Sequence, residues 1–93
     1  MEEKKCVYVV HLSGCNGTDN MTVFEDELEA YHFMMKEMEG ILSSLADAGY
    51  TGDRAPQYVK EDAYCEVWTP DTRFYYEWNI YEAPSITNGE THH

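Results

Sequence analysis

Basic residues are scarce in this sequence, and their scarcity excludes several classes of protein. Six Lys and Arg stand against 18 Asp and Glu in a chain of 93 residues, so the formal net charge is −12. Nucleic acids and anionic lipid surfaces are bound mainly through Lys and Arg, which displace counterions. Lys4 and Lys5 form the one basic cluster. The sequence therefore predicts no direct contact with nucleic acid and none with a membrane.

Long hydrophobic runs and a targeting segment are also missing. No stretch approaches the roughly 18 consecutive apolar residues of a membrane span, and no apolar run of signal-peptide length follows residues 1–5. The three cysteines are an odd number and too few for a disulfide scaffold. These features predict a cytoplasmic protein with free thiols.

Motifs for catalysis or metal binding are absent from the sequence. The cysteines form no Cys-x-x-Cys pair, and Gly49–Gly52 lacks the Lys and Ser/Thr of a phosphate-binding loop. His11 and Cys15 are close along the chain, but a strand and a loop separate them, which argues against a nucleophile and its base. We therefore expect no catalytic residue, no metal and no cofactor, and a protein that is not an enzyme. An enzymatic or cofactor-binding function without a motif is the third-ranked alternative.

The residues that are present suffice for one small folded domain. The chain is 43% hydrophobic and 14% aromatic, which is too apolar for a disordered protein. We expect a single α+β domain over residues 1–84. Residues 85–93 have few apolar side chains to bury, so we expect a flexible tail. The two histidines at its end are typical of a purification-tag remnant.

A helix is the clearest predicted element. Its N-cap is Asp26, preferred over Thr22, and it ends near residues 46–48 with Gly49 as the left-handed terminator. Phe33 and Met34 lie beside the main apolar stripe of this helix. We expect them either to pack in the core or to form an exposed Met-rich groove. The apolar stripe recurs at steps of four and three residues and consists of Phe24, Leu28, Tyr31, Met35, Met38, Leu42 and Leu45.

Four strands are predicted around this helix. Residues 7–12 are β-branched and aromatic, and residues 21–24 are either a short second strand or the lead into the helix. Residues 58–68 and 73–82 both alternate, and a turn at 69–72 with Pro70 joins them into a long C-terminal hairpin. The predicted architecture is ββαββ, with one helix covering one face of a small antiparallel sheet.

Alternation divides the side chains of the hairpin between two faces of the sheet. The apolar set, expected to meet the helix, is Val59, Ala63, Cys65, Val67, Phe74, Tyr76, Trp78 and Ile80, with Glu61 as a misfit. The opposite set mixes aromatic rings with carboxylates: Tyr58, Lys60, Asp62, Tyr64, Glu66, Trp68, Tyr75, Glu77, Asn79 and Tyr81. The second set has three interpretations. Its side chains stabilise the sheet across neighbouring strands, form a protein-binding surface or form a homodimer interface.

The segment Val23–Tyr31 (Val-Phe-Glu-Asp-Glu-Leu-Glu-Ala-Tyr) resembles the strand-to-helix junction of small proteins encoded by phages and mobile elements. The resemblance implies a ββαββ arrangement and transfers no catalytic residue. Size and acidity resemble those of the anti-CRISPR and other anti-defence proteins of phages. This class resemblance implies an inhibitor of a nucleic-acid-binding enzyme.

The leading hypothesis is a non-catalytic acidic module that binds a basic site on a partner protein, with helical carboxylates standing in for phosphates. The alternatives are that the charge only keeps the protein soluble, or that the chain is a structural protein that dimerises through its aromatic sheet face. The predicted binding residues are Glu25, Asp26, Glu27, Glu29, Glu37 and Glu39 for charge, with Tyr64, Trp68, Tyr75 and Tyr81 as aromatic anchors.

Overall fold

The computed structural model describes residues 6–84, which form one helix on one face of a five-stranded antiparallel sheet. The strands are β1 (Cys6–Gly14), β2 (Asp19–Phe24), β3 (Gln57–Lys60), β4 (Tyr64–Trp68) and β5 (Tyr75–Pro84), and the helix α1 is Glu27–Asp47. The order across the sheet is β2-β1-β5-β4-β3. The α+β class is confirmed. The predicted tail, residues 85–93, lies outside the described residues.

The first two strands form a hairpin around a tight turn. Asn16 and Gly17 adopt φ values of 57° and 75° there, which Gly and Asn tolerate better than other residues. The register runs from Tyr8 opposite Phe24 to Ser13 opposite Asp19. Of the two alternatives for residues 21–24, the structure therefore shows a strand.

Helix α1 begins and ends where its capping residues predict. Asp26 has an extended backbone, and its side chain accepts a hydrogen bond from the Leu28 N–H at 3.3 Å. At the other end Gly49 takes the left-handed conformation with φ 100°, a common way to terminate a helix. Within residues 6–84 no helix combines the length and the apolar character needed to cross a membrane.

The core lies between α1 and the sheet, and the helix meets the sheet with a face rotated from the predicted stripe. Met34 is completely buried, together with Ala30 and Met38, whereas Leu28 is 59% exposed. Met34 therefore belongs to the core, and Leu28 was wrongly placed there. The sequence is apolar almost all round residues 30–35, so periodicity alone could not orient this part of the helix.

The predicted long hairpin is wrong in one respect, because residues 58–68 do not form one strand. The chain turns at Glu61–Ala63, and β3 pairs back on β4 with the Glu61 N–H bonded to the Tyr64 carbonyl oxygen at 2.8 Å. The topology is thus ββαβββ. Two charged residues at this turn are easily solvated, whereas a continuous strand would have placed Glu61 among core residues.

This extra turn reverses the predicted faces of β3. Val59 lies opposite Glu66, and Tyr58 opposite Val67, so Val59 is on the face away from the helix and Tyr58 and Lys60 are on the helix side. The assignments on β4 and β5 are correct. Cys65, Val67 and Trp78 are completely buried against the helix.

A hydrogen-bonded carboxylate secures the turn between β4 and β5. Asp71 accepts bonds from the Thr69 hydroxyl (2.7 Å), the Tyr50 hydroxyl (2.8 Å) and the Arg73 N–H (3.0 Å). These bonds, led by the one from Thr69 and assisted by Arg54, lower the pKa of Asp71 to about 2. Since Tyr50 lies just after the C-cap Ala48 of α1, its bond to Asp71 connects the segment that follows the helix to the turn of the sheet.

Candidate binding surface

The six helical carboxylates predicted to bind do not form one stripe. Glu25 and Asp26 precede the helix, and the Asp26 side chain is used as the N-cap. Residues two apart on a helix point about 160° away from each other, so Glu27 and Glu29 face different ways. The same holds for Glu37 and Glu39.

Glu37 has a structural contact of its own. Its Oε1 atom accepts a hydrogen bond from the Trp78 indole Nε1 at 3.2 Å, and Trp78 is completely buried. A buried indole N–H needs an acceptor, and Glu37 supplies it. Glu37 is therefore only partly available to a partner, while Glu39 remains exposed.

The aromatic anchors lie on the opposite side of the molecule from the helix. Alternation along β4 and β5 places Tyr64, Trp68, Tyr75 and Tyr81 on the sheet face that α1 does not cover, which we call the open face. The ten predicted residues thus form two separate surfaces. One flat partner surface cannot contact the helical carboxylates and these aromatic rings together.

Strands β4 and β5 bring the aromatic rings of the open face together with two carboxylates. Trp68 lies directly opposite Tyr75, and Glu66 lies directly opposite Glu77. Side chains paired in this way have Cβ atoms about 4.5–5.5 Å apart. We call this group, which comprises Tyr64, Glu66, Trp68, Tyr75 and Glu77, the acidic aromatic patch.

Each carboxylate of the patch is held by a neighbouring tyrosine on its own strand. The Tyr64 hydroxyl donates to Glu66 Oε1 and the Tyr75 hydroxyl to Glu77 Oε1, both at 2.8 Å. Asn79 Nδ2 donates to Glu77 Oε2 at 3.3 Å. These bonds fix both carboxylates while leaving part of their capacity to accept further hydrogen bonds.

Partial burial and the neighbouring carboxylates both raise the pKa values of the tyrosine hydroxyls of the patch. Partial burial raises the pKa of Tyr64 to about 12, with further contributions from its bond to Glu66 and from the charge on Glu77. The pKa of Tyr75 is raised for the same reasons, with the roles of Glu77 and Glu66 exchanged. Both tyrosines are therefore neutral donors at physiological pH.

The strand residues of this surface, within 6–84, include no Lys or Arg. The register places Lys60 on the helix side, opposite Cys65, and Arg54 and Arg73 lie outside the strands. Among residues 6–84 no strand residue of the open face is a Lys or Arg, and the one basic side chain among them is His11, bonded to Asp19 at 2.6 Å. Glu66 and Glu77 have no cation beside them on this face.

The other half of the open face carries a group of apolar side chains beside the His11–Asp19 pair. Val9 is flanked by Val23 on β2 and by Tyr81 on β5, and the Tyr81 hydroxyl lies 3.9 Å from the Met21 sulfur. Met21 is 61% exposed, Val23 59% and Tyr81 44%. We call these four residues the apolar patch. Tyr81 therefore belongs to a different part of the face from the other three anchors.

The sequence indicated part of this surface and missed its centre. Alternation alone puts Glu66 and Glu77 on the same face as the tyrosines, but the opposition of the two carboxylates depends on the strand register, which a sequence does not reveal. Met21 and Val23 were overlooked because β2 was not separated from the start of the helix. Within the described part of the chain, no group of three His, Cys, Asp or Glu could hold a metal ion.

No protein-family model, curated protein or solved structure matches the chain.

Proposed function

We propose that the protein is a non-catalytic binding module whose acidic aromatic patch takes up a basic, arginine-bearing segment of another protein. The observation that carries this proposal is the opposition of Glu66 and Glu77 on a sheet face whose strand residues, within 6–84, include no Lys or Arg, and neither carboxylate forms an ion pair there. Like charges directly opposite each other destabilise a sheet. A cation from a partner would relieve that repulsion.

The chemistry of the patch favours arginine over lysine. A guanidinium group binds a carboxylate with two parallel hydrogen bonds and also stacks on aromatic rings. Tyr64, Trp68 and Tyr75 supply such rings beside both carboxylates, and cation–π contacts of this kind contribute about 0.5–2 kcal/mol. Tyrosine and tryptophan are also the residues most enriched at the energetic centres of interfaces.

We propose further that this partner is a nucleic-acid-binding enzyme, which the module inhibits in the manner of an anti-CRISPR protein. Proteins that bind single-stranded nucleic acid combine cationic grooves with aromatic stacking. A surface alternating carboxylates with rings offers similar groups in place of phosphates and bases. The carboxylates that stand in for phosphates are then those of the open face and not the scattered carboxylates of the helix. The free thiols of Cys6, Cys15 and Cys65 fit a cytoplasmic module.

A labelled octa-arginine peptide tests the binding step. We expect the double variant Glu66→Gln/Glu77→Gln to bind the peptide at least about tenfold more weakly than the original protein, because each lost charge-assisted contact contributes roughly 1 kcal/mol or more. The measurement is fluorescence anisotropy in about 50 and 200 mM salt, where attraction between exposed charges is screened to different extents.

The matched control removes the same charge from the other side of the molecule. Glu25→Gln/Glu29→Gln changes two exposed carboxylates at the start of α1 and should alter the affinity by less than about twofold. Equal losses in both double variants would mean that the peptide responds only to net charge, and would refute the proposed site.

The apolar patch supports a second candidate function, a structural protein that dimerises through its open face. The exposure of Met21 and Val23 beside Tyr81 favours it, since contiguous exposed apolar residues often mark interfaces. The net charge of −12 opposes it. Sedimentation in about 1 M salt, where this repulsion is screened, would show a dimer that Met21→Ser/Val23→Ser abolishes if this candidate is correct, and a monomer if it is not.

A further inference from the structure

A cleft of about 470 Å³ lies on the helix side of the sheet, apart from the acidic aromatic patch. Four elements form it: the N-terminal part of α1, the turn between β3 and β4, the second half of β5, and β1 through Tyr8. Its volume is within the range of about 300–1,000 Å³ that is common for small-molecule sites. It is thus the size of a ligand site, and the first residues of α1 lie at its wall.

Three carboxylates line this cleft without a cation among the lining residues. Glu27 comes from α1, Asp62 from the β3–β4 turn and Glu82 from β5. Neither of the two ion pairs within residues 6–84 involves any of them. Desolvation, followed by the charges of Glu82 and Glu27, raises the pKa of the Tyr8 hydroxyl in this cleft.

The walls between these carboxylates are apolar or aromatic. Tyr8 and Tyr31 contribute rings, and Leu28 and Ile80 contribute aliphatic side chains. Leu28 is 59% exposed, which is unusual for a leucine beside a core. A ligand that covers Leu28 would remove this apolar surface from water, worth roughly 25 cal/mol for each Å² buried.

The spacing of the carboxylates excludes a single metal ion as the ligand. Within residues 6–84 no three acidic, His or Cys side chains converge closely enough to hold one. An extended ligand with separate positive charges can reach carboxylates that lie apart around the cleft. Alkyl segments between its charges would contact Leu28, Ile80 and the tyrosine rings.

We propose that this cleft binds a linear aliphatic polyamine. The alkylammonium groups of such a molecule are charged at neutral pH, as the lysine side chain is, and pair with Glu27, Asp62 and Glu82. Its methylene segments pack on Leu28 and Ile80 between the two tyrosines. The site is independent of the acidic aromatic patch, since the sheet separates the two.

Titration of the protein with spermidine by calorimetry tests the proposal. In about 150 mM salt, where diffuse counterion binding is screened, spermidine should saturate a single site. Glu27→Gln/Glu82→Gln should weaken its affinity by about tenfold, since each exposed ion pair contributes roughly twofold to fivefold. Leu28→Ser keeps every carboxylate and should weaken spermidine by about threefold through the lost methylene contacts.

The control variant removes the same charge from surface outside the cleft. Glu29→Gln/Glu39→Gln changes two exposed carboxylates of α1 that do not line it and should leave the spermidine affinity within about twofold. Circular dichroism checks that each variant is folded. The proposal would be overturned if both double variants weakened spermidine binding equally, or if Leu28→Ser had no effect on it. It would also be overturned if Mg²⁺ displaced spermidine at the same concentration of positive charge.

Discussion

At the scale of single residues, the structure separates carboxylates that hold the fold from carboxylates left without a cation. Asp71 accepts three hydrogen bonds at the β4–β5 turn, and Glu37 satisfies the indole of Trp78. Glu66 and Glu77, in contrast, face each other across two strands. The role of an acidic side chain in this protein therefore follows from its partners and not from the overall charge.

The lowered pKa of Asp71 predicts a pH dependence of stability. Its carboxylate contributes fully above the ordinary pKa of 3.8, and the contribution disappears as the pH falls from 3.8 towards about 2. Asp71→Asn should unfold at a lower temperature than the original protein at pH 7, and the difference should shrink across that window. Thermal unfolding at pH 7, 4, 3 and 2 measures it.

Asp53→Asn serves as the matched control for this series. Asp53 is an exposed residue in the short 3-10 turn at Gly52–Arg54. The difference between this variant and the original protein should stay small at every pH. An Asp71→Asn difference that persists unchanged at pH 2 would show that the carboxylate charge is not what stabilises the turn.

At the scale of elements, local signals predicted more than periodicity did. The helix limits followed from Asp26 and Gly49, because a cap acts within a few residues of its own position. The alternation over residues 58–68 failed, since polar residues at a strand's surface and at a turn look alike in sequence. The strand order was beyond prediction, because β5 pairs with β1 across more than sixty residues and only tertiary contacts select that pairing.

The same distinction holds for the candidate sites. The side chains of the open face were predictable from Tyr64 onward, because the residues of β4 and β5 alternate strictly between the two faces of the sheet. The scattering of Glu27, Glu29, Glu37 and Glu39 follows from helix geometry and could have been foreseen. The cleft could not be predicted from the sequence, because its carboxylates come from three elements that are distant along the chain.

The orientation of α1 can be tested with two alanine substitutions on the same helix. Met34→Ala should lower the free energy of unfolding by about 2–5 kcal/mol, because it leaves a cavity in the core. Leu28→Ala should lower it by less than about 0.5 kcal/mol, since Leu28 is 59% exposed. Urea denaturation gives both values, and similar losses at the two positions would contradict the observed orientation.

At the scale of the whole molecule, the net charge of −12 is distributed over distinct surfaces. The helix presents scattered carboxylates, the cleft three more, and the open face a pair beside aromatic rings. Such a charge keeps copies of the chain apart and attracts basic proteins. The acidic aromatic patch has the geometry of a binding site, because its carboxylates are held by tyrosine hydroxyls and lie beside rings on strands whose open-face residues, within 6–84, include no Lys or Arg.

Thermal unfolding of the original protein and of Glu66→Gln/Glu77→Gln, each with and without octa-arginine, tests this account most directly. Without the peptide the variant should be more stable by about 0.2–1 kcal/mol, because the repulsion across β4 and β5 is removed. The peptide should then stabilise the original protein strongly and the variant little. A variant that is less stable on its own, or that gains as much from the peptide as the original protein does, would contradict the account.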